Sequence, residues 1–275
     1  MMDYFYLFLA GLGGGFMAGL LGIGGGIFYL LVLPFALTRI GVNDQEIVQY
    51  VIANSLFGTL FAALSGSLTQ MRNGTFYLRP VLWVSLGAIT ISLLTINFFV
   101  NTPFYSKQVF NIVVIALLVF ILWRTLRKSA IAKGKKGGDK GKTPSPRWFM
   151  GAGGSGGLVA ALSGLGGGAI VVPFLTLILG MDIKKAKSIS LGMIFFTSLM
   201  ITCFNMTEVP RFNVDYYNMG YIVFPIVLPL GMGVVISSPL GVKAAAKMSS
   251  RLITILFSIF IFVVILKKAF ELIPG

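Results

Sequence analysis

Two short phrases stand out for the chemistry that their backbones could do: GLLGIGGG at residues 19–26 and ALSGLGGG at residues 161–168. Each interrupts a long apolar run. Glycine is a poor helix former, reaches left-handed angles readily and leaves its amide uncovered. An apolar segment that resumes after such a turn starts a helix there. The free N–H groups of its first turn, with the positive end of the helix dipole, favour an anion. Gly24, Gly25, Gly26, Gly166, Gly167 and Gly168 are therefore the expected anion-facing backbone, because three consecutive glycines exceed what helix packing needs. The glycines before Gly22 read differently. Gly11, Gly15 and Gly19 are spaced by four, which suits close helix packing without any ligand. On that reading Gly11→Ala weakens packing only modestly. The GxGGG phrase is no nucleotide fingerprint, since it lacks the strand–turn–helix setting and the following acid.

Polar side chains near the two phrases extend the expected site. Asn54, Ser55, Ser163, Ser188 and Ser190 could donate hydrogen bonds to an oxyanion, and each could equally bond a neighbouring helix. Other chemistries find no residues. There is no His, the single cysteine, Cys203, lies in an apolar run, and the eight acids fall in loops or near run ends. No metal cluster, no cofactor, no nucleophile with a paired base and no intramembrane proton relay is expected, so the chain is not read as an enzyme.

The elements that must hold these residues are membrane helices. The chain has 275 residues, 56% of them hydrophobic, with a mean hydropathy of +0.91. Charged residues make up 11%, under half the usual share. Apolar runs cover roughly 4–38, 47–70, 80–100, 108–124, 148–181, 188–207, 216–242 and 252–266; runs of about 20 residues cross a bilayer. The first run does not resemble a cleaved leader, since only Asp3 precedes it and no A-x-A-like site follows. Residues 133–146, KGKKGGDKGKTPSP, read as a disordered basic linker. The chain thus divides into an N-terminal repeat (1–128), a linker (129–147) and a C-terminal repeat (148–275).

The halves are repeats. Gly11–Gly26 laid over Gly153–Gly168 gives nine identities in sixteen positions. After a three-residue slip, Pro34 and Phe35 fall on Pro173 and Phe174, and Phe57 falls on Phe196; later, Leu86 and Gly87 fall on Leu230 and Gly231. Loop charge then orients them. With the linker cytoplasmic, seventeen Lys and Arg lie inside and five outside. Equivalent loops of the two halves must then face opposite sides, so the repeats are inverted, as in many secondary transporters. Both termini fall outside. Each GGG element must enter and return, and the segment from Ile27 to Thr38 spans only about 18 Å as a helix. The expected fold is an all-α polytopic membrane protein of two inverted-topology repeats, each a glycine-tipped helical hairpin plus three transmembrane helices. The net charge of +14 belongs to loops at the membrane surface rather than to nucleic-acid binding.

LGIGGGIFYLLVLP and SGLGGGAIVVP, each followed by a short polar loop opening a helix, resemble the TauE/SafE sulfite exporter family. So does the close, PLGVKAAAKMSSRLITILFSIFIFVVILKK. The resemblance spans nearly the whole chain apart from the linker. It implies a cytoplasmic-membrane transporter, with export the expected direction, of sulfite, organosulfonates or other small anions. That family commonly opens the helix after each hairpin with a Gly-Thr-Ser-like stretch. Ser188, Ile189 and Ser190 occupy that place in the second half; Gln49, Tyr50 and Val51 depart from it in the first. The expected partners are a small inorganic or organic anion and the lipid bilayer, while self-association as a homodimer stays open. An anion channel, or a transporter of other small carboxylate or sulfur anions, is the alternative.

Overall fold

The computed structural model describes residues 4–21, 24–102, 104–131, 144–212 and 214–272. Among the described residues ten helices follow one another: α1 (Tyr4–Leu21), α2 (Gly26–Arg39), α3 (Ile47–Arg72), α4 (Leu78–Thr95, prolonged by a π turn, Ile96–Val100), α5 (Lys107–Ile131), α6 (Pro146–Ser163), α7 (Gly168–Pro173, prolonged by a π turn, Phe174–Ile178), α8 (Ile183–Thr207), α9 (Phe224–Lys247) and α10 (Ser250–Phe270). The described residues include five helices long and apolar enough to cross a membrane, namely α3, α4, α5, α8 and α9. Most of the expected linker, residues 132–143, lies outside the described residues; its two ends are helical.

Helix limits depart from the apolar runs where a polar group intervenes. α8 starts at Ile183 rather than near Ser188 because the Asp182 carboxylate accepts the Lys184 and Lys185 amides, satisfying donors that the first turn leaves open. The seventh apolar run is not helical from residue 216. It opens instead with a two-residue antiparallel ladder, β1 (Asn218–Met219) with β2 (Ile222–Val223), turned at Gly220 with φ 56°. The side chain of Asn54 holds that ladder, taking the Val223 amide at 3.0 Å and giving its own N–H to the Tyr221 carbonyl at 2.9 Å.

Small residues fix the helix pairs. A Cβ on Gly11 would lie 2.1 Å from the Leu230 carbonyl oxygen, and one on Gly19 2.1 Å from that of Ser238. Gly233 returns the contact against Phe8. α6 meets α4 in the same way, Gly153 against Val84 and Gly157 against Ala88, with Gly87 against Met150. The four-residue spacing is therefore a packing stripe, as expected. Its tightness exceeds the expectation, because an alanine at Gly11 would meet backbone rather than a yielding side chain. The pairs also revise the alignment. Gly11 touches Leu230 where Gly153 touches Val84, so Gly87 corresponds to Gly233 and not to Gly231. Matching glycine letters alone leaves the register two residues short.

α3 lies at the centre, with 83% of its apolar window buried against 28% for α5. It packs on α8, as α5 packs on α10. Loops gather at two ends. At one, the buried Glu46 carboxylate accepts the Arg211 and Phe212 amides and the Tyr221 hydroxyl, all within 2.9–3.1 Å. Burial, then this bond, push the Tyr221 pKa up, so it stays a donor. Lys107 meets Asp44 at 3.1 Å and Asn101 meets Glu208 at 3.2 Å nearby in the same loops. At another, the Ser188 hydroxyl lies 2.7 Å from Gln70 Oε1 and 2.6 Å from the Thr75 carbonyl, and the Lys185 ammonium sits over the Tyr77 ring.

Gly11→Ala and Gly153→Ala should each destabilise the protein by about 1–3 kcal/mol through overpacking. Gly151 has nothing within 4 Å of an added Cβ, so Gly151→Ala should be neutral or slightly stabilising. Thermal unfolding of the three detergent-purified variants checks this ranking.

Candidate functional site

Each hairpin turns on glycines that no L side chain fits comfortably. Gly24 and Gly25 have φ of 87° and 72°; Gly166 and Gly167 have 78° and 74°. A Cβ in that region costs roughly 1–2 kcal/mol. Gly25 and Gly167 cap α2 and α7, and neither helix start has a side-chain cap bond. The first bonds of the new turns are Phe28 N–H to the Gly25 carbonyl and Ile170 N–H to that of Gly167. The amides before them have no partner within their helix.

The two turns meet. A Cβ on Gly26 would lie 2.6 Å from the Gly164 carbonyl oxygen and 2.8 Å from Leu165 Cα, so the start of one half-helix rests on the turn of the other hairpin. Gly24 and Gly166 face the same two side chains. From either position an added Cβ would be 2.9 Å from the Thr59 methyl, and 3.6 Å or 3.3 Å from Ile194 Cγ2. Gly25 and Gly167 point instead into their own hairpins, against the carbonyls of Gly14 (2.9 Å) and Gly156 (2.1 Å). The expected glycines thus divide by position: one per turn faces the other half, one closes its own hairpin, and Gly26 packs tip on tip. Gly168 begins α7 and is buried.

The expected side chains also divide. Ser55 is buried on α3 and donates to the Gly164 carbonyl at 3.0 Å, directly on the second turn. Ser190 is fully buried, and its hydroxyl has no protein partner. Ser163 donates to the Val159 carbonyl and accepts the Leu165 amide, closing the end of α6. Asn54 is engaged by the 218–223 ladder and the Tyr50 carbonyl. Ser188 sits at the α3–α4 loop, in contact with Gln70 and Thr75.

Other groups at the turns were missed by sequence reasoning. Thr59 Oγ1 is buried without a partner, beside a methyl that touches both turns. Tyr29 is fully buried, its hydroxyl unpartnered and 3.2 Å from where a Cβ on Gly25 would sit. On α8, Ser198 is likewise buried and unpartnered. The signal was helical spacing. Thr59 is one turn beyond Ser55, Tyr29 follows Gly25 by four, and Ser190, Ile194 and Ser198 share one face of α8. Thr59 and Tyr29 thus place two unpartnered buried hydroxyls beside two converging half-helix starts. Such an arrangement offers neutral donors and partial positive charge.

Relatives bear on what such an arrangement is for. The chain is 27% identical over 249 residues to a probable membrane transporter protein of Methanocaldococcus jannaschii, covering 89% of this chain and 87% of that one. It is 25% identical over 262 residues to a probable membrane transporter protein of Haemophilus influenzae, covering 93% and 94%. To the probable membrane transporter protein YunE of Bacillus subtilis it is 25% identical over 271 residues, covering 94% of each. No solved structure matches. The model of the sulfite exporter TauE/SafE family matches residues 7–268. With its two hairpins, its membrane-length helices and that match across nearly its whole length, the chain belongs to the sulfite exporter TauE/SafE family, whose members are membrane transporters and not enzymes.

Proposed function

We propose that the chain carries small anions such as sulfite or organosulfonates out across the cytoplasmic membrane, holding one anion where the two glycine turns meet. The observation that carries the reading is the convergence of Gly24 and Gly166, from opposite halves, on Thr59 and Ile194. The amides that open α2 and α7 supply N–H donors. Thr59, Tyr29, Ser190 and Ser198 supply buried hydroxyls that lack a protein partner. Ser55 positions the second turn, and Asn54, Ser163 and Ser188 act one layer out, holding the segments that hold the site.

Two inverted repeats fit this role. The α2–α3 loop shares its end with Arg211, Phe212 and Tyr221 through Glu46, whereas the start of α8 shares its end with the α3–α4 loop through Ser188. Equivalent loops of the two halves therefore lie with different neighbours, as inversion requires. The Glu46 end is the outer one by the distribution of Lys and Arg, with the linker inside and both termini outside. In a Cys203→Ala background, cysteines at Asn43 and Tyr217 should react with an impermeant thiol reagent in intact cells. Cysteines at Gly74 and Lys184 should react only after permeabilisation. The reverse pattern would turn the molecule over.

Ligand binding tests the site itself. A thermal-shift series with sulfite, sulfate, sulfoacetate, taurine and lactate should show a raised melting temperature for the ligands bound. Thr59→Val keeps the shape and removes the hydroxyl, so it should fold normally and lose about 1–3 kcal/mol of anion binding. An undiminished shift in Thr59→Val would remove Thr59 from the site.

Transport is expected to be electrogenic. The described acids lie in loops or at helix ends, so no buried carboxylate is placed in mid-span to relay protons. Each negative charge leaving a negative interior gains about 2.3 kcal/mol per 100 mV, enough for roughly a 50-fold gradient of a monoanion. In proteoliposomes with equal pH on both sides, flux should follow a potassium diffusion potential and reverse with it. Flux that ignores voltage and follows a pH gradient would mean proton coupling instead, and single-channel currents would mean a pore.

A further inference from the structure

Away from the turns, an open cleft of about 870 Å³ lies between α1, α2 and α10. Its walls are built on the side of α2 opposite the core. Tyr29, Leu30, Leu33 and Leu37 turn inward and are fully buried, while Leu31, Val32 and Phe35 turn into the cleft, with Phe35 60% exposed. Tyr6 and Leu7 of α1 face them. Two cations line the same space. Arg39 ends α2, its guanidinium over the Phe35 ring at 4.6 Å. Lys267 of α10 gives a hydrogen bond to the Leu31 carbonyl. Glu271 lies 3.9 Å from Lys267 and 2.6 Å from Lys268. Tyr216 completes the rim, and the exposed rings of Tyr4, Phe5, Tyr6 and Tyr217 lie in the first turn of α1 and in the loop beside Tyr216. Exposed aromatics of this kind sit at headgroup level in membrane proteins.

We propose that this cleft binds an anionic glycerophospholipid of the leaflet that meets the Arg39 end. The phosphate lies between the Arg39 guanidinium and the Lys267 ammonium, and the upper acyl chain lies along Leu31, Phe35 and Tyr6. Charge complementarity selects the occupant. Arg presents a planar set of donors that matches phosphate oxygens, and Lys adds a point charge. A soluble anion would satisfy the cations but gain nothing from the apolar wall. A zwitterionic lipid would cover the wall but bring its own cation to two others. The face used is the one α2 turns away from α3, so the inference does not depend on where the transported anion binds.

The full-length protein in detergent, titrated with phosphatidylglycerol or with phosphatidylcholine of the same acyl chains and read by native mass spectrometry, tests this. Phosphatidylglycerol should bind more tightly. Arg39→Gln should weaken it by about fivefold, the worth of one cation near a charged lipid surface, with phosphatidylcholine unchanged. Arg39 is exposed at a helix end, so this variant should keep its melting temperature. Lys267→Gln should weaken phosphatidylglycerol by a similar factor. Equal binding of the two lipids by the unaltered protein, or Arg39→Gln with full phosphatidylglycerol affinity, would overturn the proposal. So would displacement of phosphatidylglycerol by millimolar glycerol 3-phosphate or sulfite, which would make the cleft a vestibule for soluble anions.

Discussion

The fold depends on one contact made without side chains: the start of α2 at Gly26 lying against Gly164 and Leu165 of the other hairpin. Non-helical backbone within a membrane protein must find its hydrogen bonds from protein or a water-filled cavity. Here each turn is walled by the other turn and by α3 and α8, and Ser55 satisfies one of the exposed carbonyls. A methyl group at Gly26 would meet the Gly164 carbonyl and force the two hairpins apart. Glycine is used at this point for its missing Cβ, and at Gly24, Gly25, Gly166 and Gly167 for its positive φ as well.

The rest of the architecture serves to bring the hairpins to that meeting. α1 can reach its depth because Gly11, Gly15 and Gly19 let it run flush against the backbone of α9. α6 does the same on α4 through Gly153 and Gly157. Each hairpin of one half is thus carried by the fourth helix of the other. α3 and α8 stand between these two carriers and contribute Thr59 and Ile194, the side chains that both turns touch. A set of buried hydroxyls without protein partners is costly in a purely structural core. Two of them, Thr59 and Tyr29, lie beside uncapped helix starts, which supports the anion site proposed above.

Polar groups away from the turns lock the ends of the assembly. Glu46 ties the segment before α9 to the start of α3, and Asn54 holds the short ladder two turns deeper. Ser188 makes the matching tie at the start of α8. Asn54 and Ser188 lie on the helices that follow the two hairpins, yet their bonds reach the segments before α9 and α4. That is how a polar residue in a membrane helix comes to look like a ligand when only its neighbours along the chain are known.

By itself the sequence determined the membrane class, the largely helical architecture and the position of both glycine turns. Apolar runs of membrane length, consecutive glycines and four-residue glycine spacing are local signals with direct physical meaning. It also contained Thr59 and Ser198, one helical turn from Ser55 and Ile194, although nothing local distinguished them from other buried hydroxyls. Only the tertiary structure decided which carbonyl or amide each polar side chain meets. Asn54 and Ser55 are adjacent in sequence, but they point about 100° apart on a helix, one to the ladder before α9 and the other to the second turn. The registers of α4 against α6 and of α9 against α1 were likewise decided by backbone approach at Gly87 and Gly233 and not by matching letters. Helical periodicity fixes which residues share a face, but what that face meets depends on segments more than a hundred residues away.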